Sequence, residues 1–166
     1  MRGLDDEEIM QPELIKGGIY KDERGSLKYN NDFDAAAIKR FYIIENRDTE
    51  FVRGWQGHEI EQRWFSAVSG SFSIKLIAID NWHQPAKDLP QQNFTIHAGE
   101  LDILYCPPGY VSAIQALEPG SRLLVMADYL LNVTKDEHRY PMEYFLSSDQ
   151  QSAVSYQRSA ISGTNY

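Results

Sequence analysis

Phe72-Ser73-Ile74-Lys75-Leu76-Ile77-Ala78-Ile79 is the stretch that decides the fold. Phe72, Ile74, Leu76 and Ala78 fall on one side of an extended chain, and Lys75 points the other way beside Ser73 and Ile77. A period of two is the repeat of a half-buried strand, because successive Cβ atoms alternate across the pleat. Ser69-Gly70 supplies a turn just before it. The same texture recurs outward in both directions, at 38–45, 63–68, 93–97, 101–106, 110–117 and 122–130. Turn signals at Gln84-Pro85, Gly99-Glu100, Pro107-Pro108-Gly109 and Pro119-Gly120 separate these runs. Short strands at this spacing predict an all-β sandwich or barrel rather than alternating α/β units. Tyr140 to Leu146 predicts a short C-terminal helix, with Pro141 tolerated in its first turn.

No repeat or linker divides the 166 residues, so we expect one domain, its core at about 18–146 and a polar Ser/Gln-rich tail at 147–166. The 42% hydrophobic content is too high for a disordered chain, and no apolar run approaches the ~20 residues of a membrane span. A formal net charge of −8 argues against nucleic acid or anionic lipid as partner. It leaves room for an anionic small molecule held by a local arginine pocket. The N-terminal MRGLDDEEIMQPE has no apolar segment of the secretory kind, and the single Cys106 excludes an internal disulfide. Both lead us to expect a cytoplasmic protein.

Chemistry-bearing residues concentrate in Arg53-Gly54-Trp55-Gln56-Gly57-His58-Glu59-Ile60-Glu61-Gln62-Arg63-Trp64-Phe65, read here as joining the end of one strand to the start of another. A second concentration is Pro107-Pro108-Gly109-Tyr110, a rigid turn feeding a strand. In the run 38–45, Arg40 and Tyr42 share a face with Ile38 and Ile44.

These two segments resemble the paired motifs of cupin domains. Gly54, His58, Glu61 and Gly70 stand in places comparable to the first motif, and Gly99 with Pro107-Pro108-Gly109 to the second. The resemblance implies a double-stranded β-helix, or jelly-roll, barrel. Within cupins the chain is most similar to the epimerases and ketoisomerases of nucleotide-linked 4-keto sugars. Asp22-Glu23-Arg24-Gly25 resembles the D-x-R-G turn of the dTDP-sugar 3,5-epimerases and 3,4-ketoisomerases. Ile38-Lys39-Arg40-Phe41-Tyr42 resembles the I-K-R-x-Y run of the ketoisomerases, Arg53-Gly54 opens the R-G-x-H segment of both families, and Asp136-Glu137 with Arg139-Tyr140 resembles the ketoisomerase D-E-x-x-Y run.

The resemblance implies proton abstraction beside a sugar ketone, through an enediolate. Such chemistry needs a base near neutral pKa, hydrogen-bond donors facing the developing oxyanion, and cations for a diphosphate. By position, His58 is the candidate base, Tyr42 and Tyr110 candidate acids or positioning groups, and Arg24 and Arg53 the diphosphate contacts. Arg40, Gln62 and Lys75 complete the substrate-binding candidates. The chain also departs from the pattern. Gln56 stands where the epimerases have their histidine, Trp64 where the Q-x-K motif has lysine, and Ser112 where the second cupin motif has histidine. The expectation is therefore no metal and no cofactor, a small-molecule nucleotide-sugar partner and a homodimer. The alternative is a non-catalytic cupin that binds a sugar nucleotide or another small ligand.

Overall fold

The structure is a computed structural model and describes residues 10–153. Its strands are β1 (Glu13–Ile15), β2 (Gly18–Asp22), β3 (Gly25–Tyr29), β4 (Arg40–Ile44), β5 (Val52–His58), β6 (Arg63–Ser69), β7 (Ser71–Ala78), β8 (Gln92–His97), β9 (Ile103–Cys106), β10 (Tyr110–Ala116), β11 (Arg122–Ala127) and β12 (Glu137–Arg139). They form two five-stranded sheets, in the orders β1-β9-β6-β11-β4 and β12-β5-β10-β7-β8, and a separate β2–β3 hairpin. The pairings are antiparallel, as the jelly-roll expectation requires.

The alternating runs explain why the two sheets face each other. Phe72, Ile74 and Leu76 of β7 turn inward and are fully buried in one cluster with Ile114 of the adjacent β10 and Phe65, Leu104, Leu123 and Val125 of the other sheet. Each such side chain contributes roughly 1.5–3 kcal/mol by leaving water. The opposite faces carry smaller clusters. Trp55, Ile77, Val111, Ala113 and Phe145 pack outside one sheet, and Trp64, Ile103 and Met126 outside the other.

Two segments differ from the sequence reading. The chemistry-rich run is not a connection: β5 is a central strand, and only 59–62 join it to β6. Its glycines conceal a strand because they serve close packing. A Cβ on Gly57 would lie 2.1 Å from the Tyr110 carbonyl oxygen. The second difference is the helix. Residues 141–145 form turns, because the Tyr140 N–H and C=O are committed to Trp55 of β5. Helix begins instead at 148, inside the stretch read as tail. Ser147 caps it reciprocally: the Gln150 N–H donates to Ser147 Oγ at 3.2 Å, and the Ser147 N–H donates to Gln150 Oε1 at 2.8 Å. Among the described residues no helix is long and apolar enough to cross a membrane.

Candidate active site

The antiparallel registers bring the chemistry to one end of the barrel. Tyr110, opening β10, is paired with His58, closing β5, while Arg63, opening β6, and Arg40, opening β4, flank Ala127 of β11. In β5 the pairing with β10 shifts register between Ser112 and Ile114, which lets Arg53, Gln56 and His58 all line the inner cleft while Trp55 turns outward. The cleft is completed by Tyr42, Glu61, Arg63, Cys106 and Tyr110.

His58 is 7% exposed and is held from both sides. Its Nδ1 lies 3.3 Å from Asp136 Oδ1 and 3.4 Å from Glu61 Oε2, and its Nε2 lies 2.6 Å from Arg63 Nη2. A guanidinium can only donate, so Nε2 accepts and the ring proton sits on Nδ1, facing the carboxylates. Arg63 Nη1 also donates to the Tyr42 hydroxyl. Glu61 Oε1 is 3.2 Å from Arg40 Nη2 and 3.4 Å from Arg63 Nη2. Asp136 anchors the loop after β5, accepting from the N–H groups of Ile60 and Glu61 at 2.8 Å each and from Thr134 Oγ1 at 2.8 Å.

This environment sets the protonation states. Burial, then the Arg63 charge, pull His58 below the usual imidazole range, outweighing the hydrogen bond that Nδ1–H donates to Asp136 and the charges of Glu61 and Asp136. The ring is therefore neutral at neutral pH, as a base must be. Burial raises the Asp136 carboxyl, but hydrogen bonds from Glu61, Thr134, Ile60 and His58 more than offset it and hold the group well below the ordinary carboxylate range. Burial pushes the Cys106 thiol up to about 12 against the opposing effect of Arg63, so it is no nucleophile. Tyr110 is also raised, by burial first and Cys106 second, and its hydroxyl donates to the Met10 carbonyl at 3.1 Å.

Of the residues singled out in the sequence, His58, Tyr42, Tyr110 and Arg53 line one cleft, and Arg40 reaches it through Glu61. Three others lie elsewhere in the chain. Gln62 turns away to the Asp128 carboxylate, through its N–H at 2.8 Å and Nε2 at 2.9 Å, and accepts from the Tyr105 hydroxyl. Lys75 stands on the outer face of its sheet, beside a separate cavity of about 340 Å³ lined by Trp55 and Phe145. Arg24 sits in the β2–β3 turn, folded onto Asp22 at 2.6 Å with its side chain 81% exposed.

Sequence reasoning gave no role to Arg63, the cation nearest the base. Trp64, the residue compared with the motif lysine, faces outward onto Phe33 and Tyr105. The alternation of Arg63, Phe65 and Ala67 on the inner face of β6 was the available signal. Asp136, 78 residues after His58, had no local signal beyond its motif.

His58, Glu61 and Asp136 place one ligand-type atom each within 4.8 Å of one another. A divalent cation fits this set poorly. Both Asp136 oxygens already accept hydrogen bonds, and Arg40 and Arg63 supply two positive charges against the two carboxylates.

The family model described as FdtA: WxcM-like, C-terminal matches residues 10–148. No curated protein matches the chain. Among solved structures, a variant of the 3,4-ketoisomerase QdtA from Thermoanaerobacterium thermosaccharolyticum in complex with TDP-4-keto-6-deoxyglucose is 21% identical, with 85% of this chain and 94% of that chain covered at a TM-score of 0.61. The WlaRB TDP-quinovose 3,4-ketoisomerase from Campylobacter jejuni is 22% identical, with 82% and 98% covered and a TM-score of 0.61. A dTDP-4-dehydrorhamnose 3,5-epimerase from Bacillus anthracis with TDP and PPi bound is 9% identical, with 84% and 82% covered and a TM-score of 0.65. These likenesses bear out the barrel, and the match over 10–148 says that the chain belongs to the FdtA, WxcM-like C-terminal family.

Proposed function

We propose that this protein is an isomerase or epimerase of a dTDP-linked 4-keto-6-deoxy sugar, acting by proton removal next to the ketone, in the supply of sugars for cell-surface polysaccharide. One observation carries the reading: a buried neutral imidazole, His58, shares a cleft with two phenols and the guanidinium of Arg63. A base and cationic donors facing one small volume are what an enediolate requires. The family match and the TDP-sugar carried by one structural neighbour support the substrate class.

His58 takes the proton from the carbon beside the ketone. The C–H electron pair then forms the carbon–carbon double bond of the enediolate, and the carbonyl oxygen takes the charge. Tyr42 or Tyr110 serves as acid or positioning group, and Asp136 holds the imidazole in its Nδ1–H form. Arg53, at the edge of the cleft, contacts the diphosphate. No metal enters the scheme.

The second diphosphate contact, Arg24, comes from a partner in a homodimer. The β2–β3 hairpin that carries it leaves Tyr20 57% and Leu27 59% exposed, and β4, an edge strand of the first five-stranded sheet, leaves Phe41 72% and Ile43 50% exposed. Apolar edges of this kind are normally covered. Sedimentation of a stable monomer at micromolar concentration would remove the partner. Incubation with dTDP-4-keto-6-deoxyglucose tests the activity itself. NMR should detect an isomerised or epimerised keto sugar, and failure to bind any nucleotide diphosphate at millimolar concentration would refute the substrate class.

A further inference from the structure

We propose that Arg63 is the gate on the base: in the free protein its guanidinium caps His58 Nε2, and it uncovers that nitrogen only when a ligand oxygen next to the cleft takes over its N–H donors. The inference rests on the reading of His58 as the base and adds how that base is kept silent until the keto sugar arrives.

Three observations carry it. The first is the cap. At 2.6 Å from Arg63 Nη2, the lone pair of Nε2 is engaged, while Nδ1 carries its proton toward Asp136 and Glu61. Neither nitrogen is free to accept a proton in this state. The second is space. The cleft around His58 retains only about 30 Å³, room for a water or two and far too little for a hexose ring. A sugar therefore enters by moving side chains, and Arg63 projects across the cleft between His58 and Tyr42.

The third is unused donor capacity. Arg63 Nε is buried with no hydrogen-bond partner, and so is Arg40 Nε beside it on the shared Glu61. A buried unpaired N–H is costly in the free protein, and an arriving acceptor relieves that cost. The Glu61 carboxylate tethers both guanidiniums, so Arg63 can exchange one acceptor for another without leaving the site. A carbonyl oxygen, and still more an enediolate oxygen, is the acceptor whose charge matches it. Balanced over the step, the carbon-bound proton passes to Nε2, the C–H pair becomes the C=C bond, and the negative charge on oxygen lies on the guanidinium that Nε2 gave up. A ligand that lacks an oxygen at this point leaves the cap in place.

The test reads the imidazole rather than turnover. Long-range ¹H–¹⁵N NMR of the full chain, with His58→Gln to assign the resonance, should show the Nδ1–H tautomer in the free protein. Added dTDP should leave it unchanged, and dTDP-4-keto-6-deoxyglucose should perturb both the His58 Nε2 and Arg63 resonances. Diethyl pyrocarbonate, which acylates an unengaged imidazole nitrogen, should modify His58 in Arg63→Met faster than in wild type by about tenfold, the loss of one charge-assisted hydrogen bond. Arg63→Lys, which restores a cationic donor, should slow it again. An Nε2–H tautomer in the free wild-type protein, or equal modification rates in a folded Arg63→Met, would overturn the gate even if the wild type turns over keto sugar. An Nδ1–H tautomer with accelerated modification in Arg63→Met, but no response to the keto sugar and no exchange, would uphold the cap and sink the isomerase reading together with the gate's trigger.

Discussion

Asp136 Oδ1 lies 3.3 Å from His58 Nδ1, although 78 residues separate them in the chain. The same carboxylate closes the loop after β5 through the N–H groups of Ile60 and Glu61. One residue thus orients the ring and shapes the turn that delivers Glu61 and Arg63. Asp136→Ala strips two backbone donors and the ring of their acceptor, and should cost about 3 kcal/mol in urea unfolding, since each buried orphaned donor costs about 1–3 kcal/mol. A loss below about 0.5 kcal/mol would deny Asp136 this anchoring role.

Stability should fall on the acid side, in two stages. His58 has a lowered pKa in the fold, where Arg63, Glu61, Asp136 and the cleft phenols surround it. The unfolded chain therefore binds the proton first as pH drops below about 6.5, and the folded state loses stability there. Asp136 is also lowered, so its contribution is full above the ordinary carboxylate range and is lost as pH falls through that range and below it. Thermal melts across pH should show both stages. His58→Gln should flatten the upper one and leave the lower.

Nucleotide affinity should separate the cleft from the rest of the surface. Arg53→Ala, and Arg24→Ala in the proposed dimer, should each weaken dTDP binding by roughly 1.5–3 kcal/mol in calorimetry, the scale of a charged hydrogen bond. Lys75→Ala should leave it unchanged, because Lys75 lies on the outer face of its sheet. An equal loss from Lys75→Ala would move the nucleotide site to the outer cavity.

The alternating strands could be read directly, since β7 and β11 each keep a continuous apolar face toward the core, although Ile77 and Met126 are also buried on the outer faces. Less of the site could be read. In β5 the glycines that permit close approach to β10 look like a loop, and the register shift that brings Arg53 and His58 onto one face has no signature in composition. Arg63 was hidden by comparing a motif position to Trp64, one residue later, which in a strand means the opposite face. The helix was misplaced because Tyr140 pairs with β5, while the Ser147–Gln150 capping box looked like polar tail.

Chelation should not matter. The His58, Glu61 and Asp136 cluster is neutralised by two guanidiniums, so treatment with EDTA should leave nucleotide binding and proton exchange intact. One equivalent of a tightly held transition metal with His58 among its ligands would overturn that charge balance and the scheme built on it.

The measurement closest to the central claim is deuterium exchange from solvent into dTDP-4-keto-6-deoxyglucose, followed by NMR, for wild type and His58→Ala side by side with dTDP calorimetry. The wild type should incorporate deuterium at a carbon next to the ketone, and His58→Ala should bind dTDP with nearly the same affinity yet show no incorporation. Exchange that persists in His58→Ala would take the base away from this cleft, and a wild type that binds dTDP without any exchange would make the barrel a nucleotide-sugar binder rather than an enzyme.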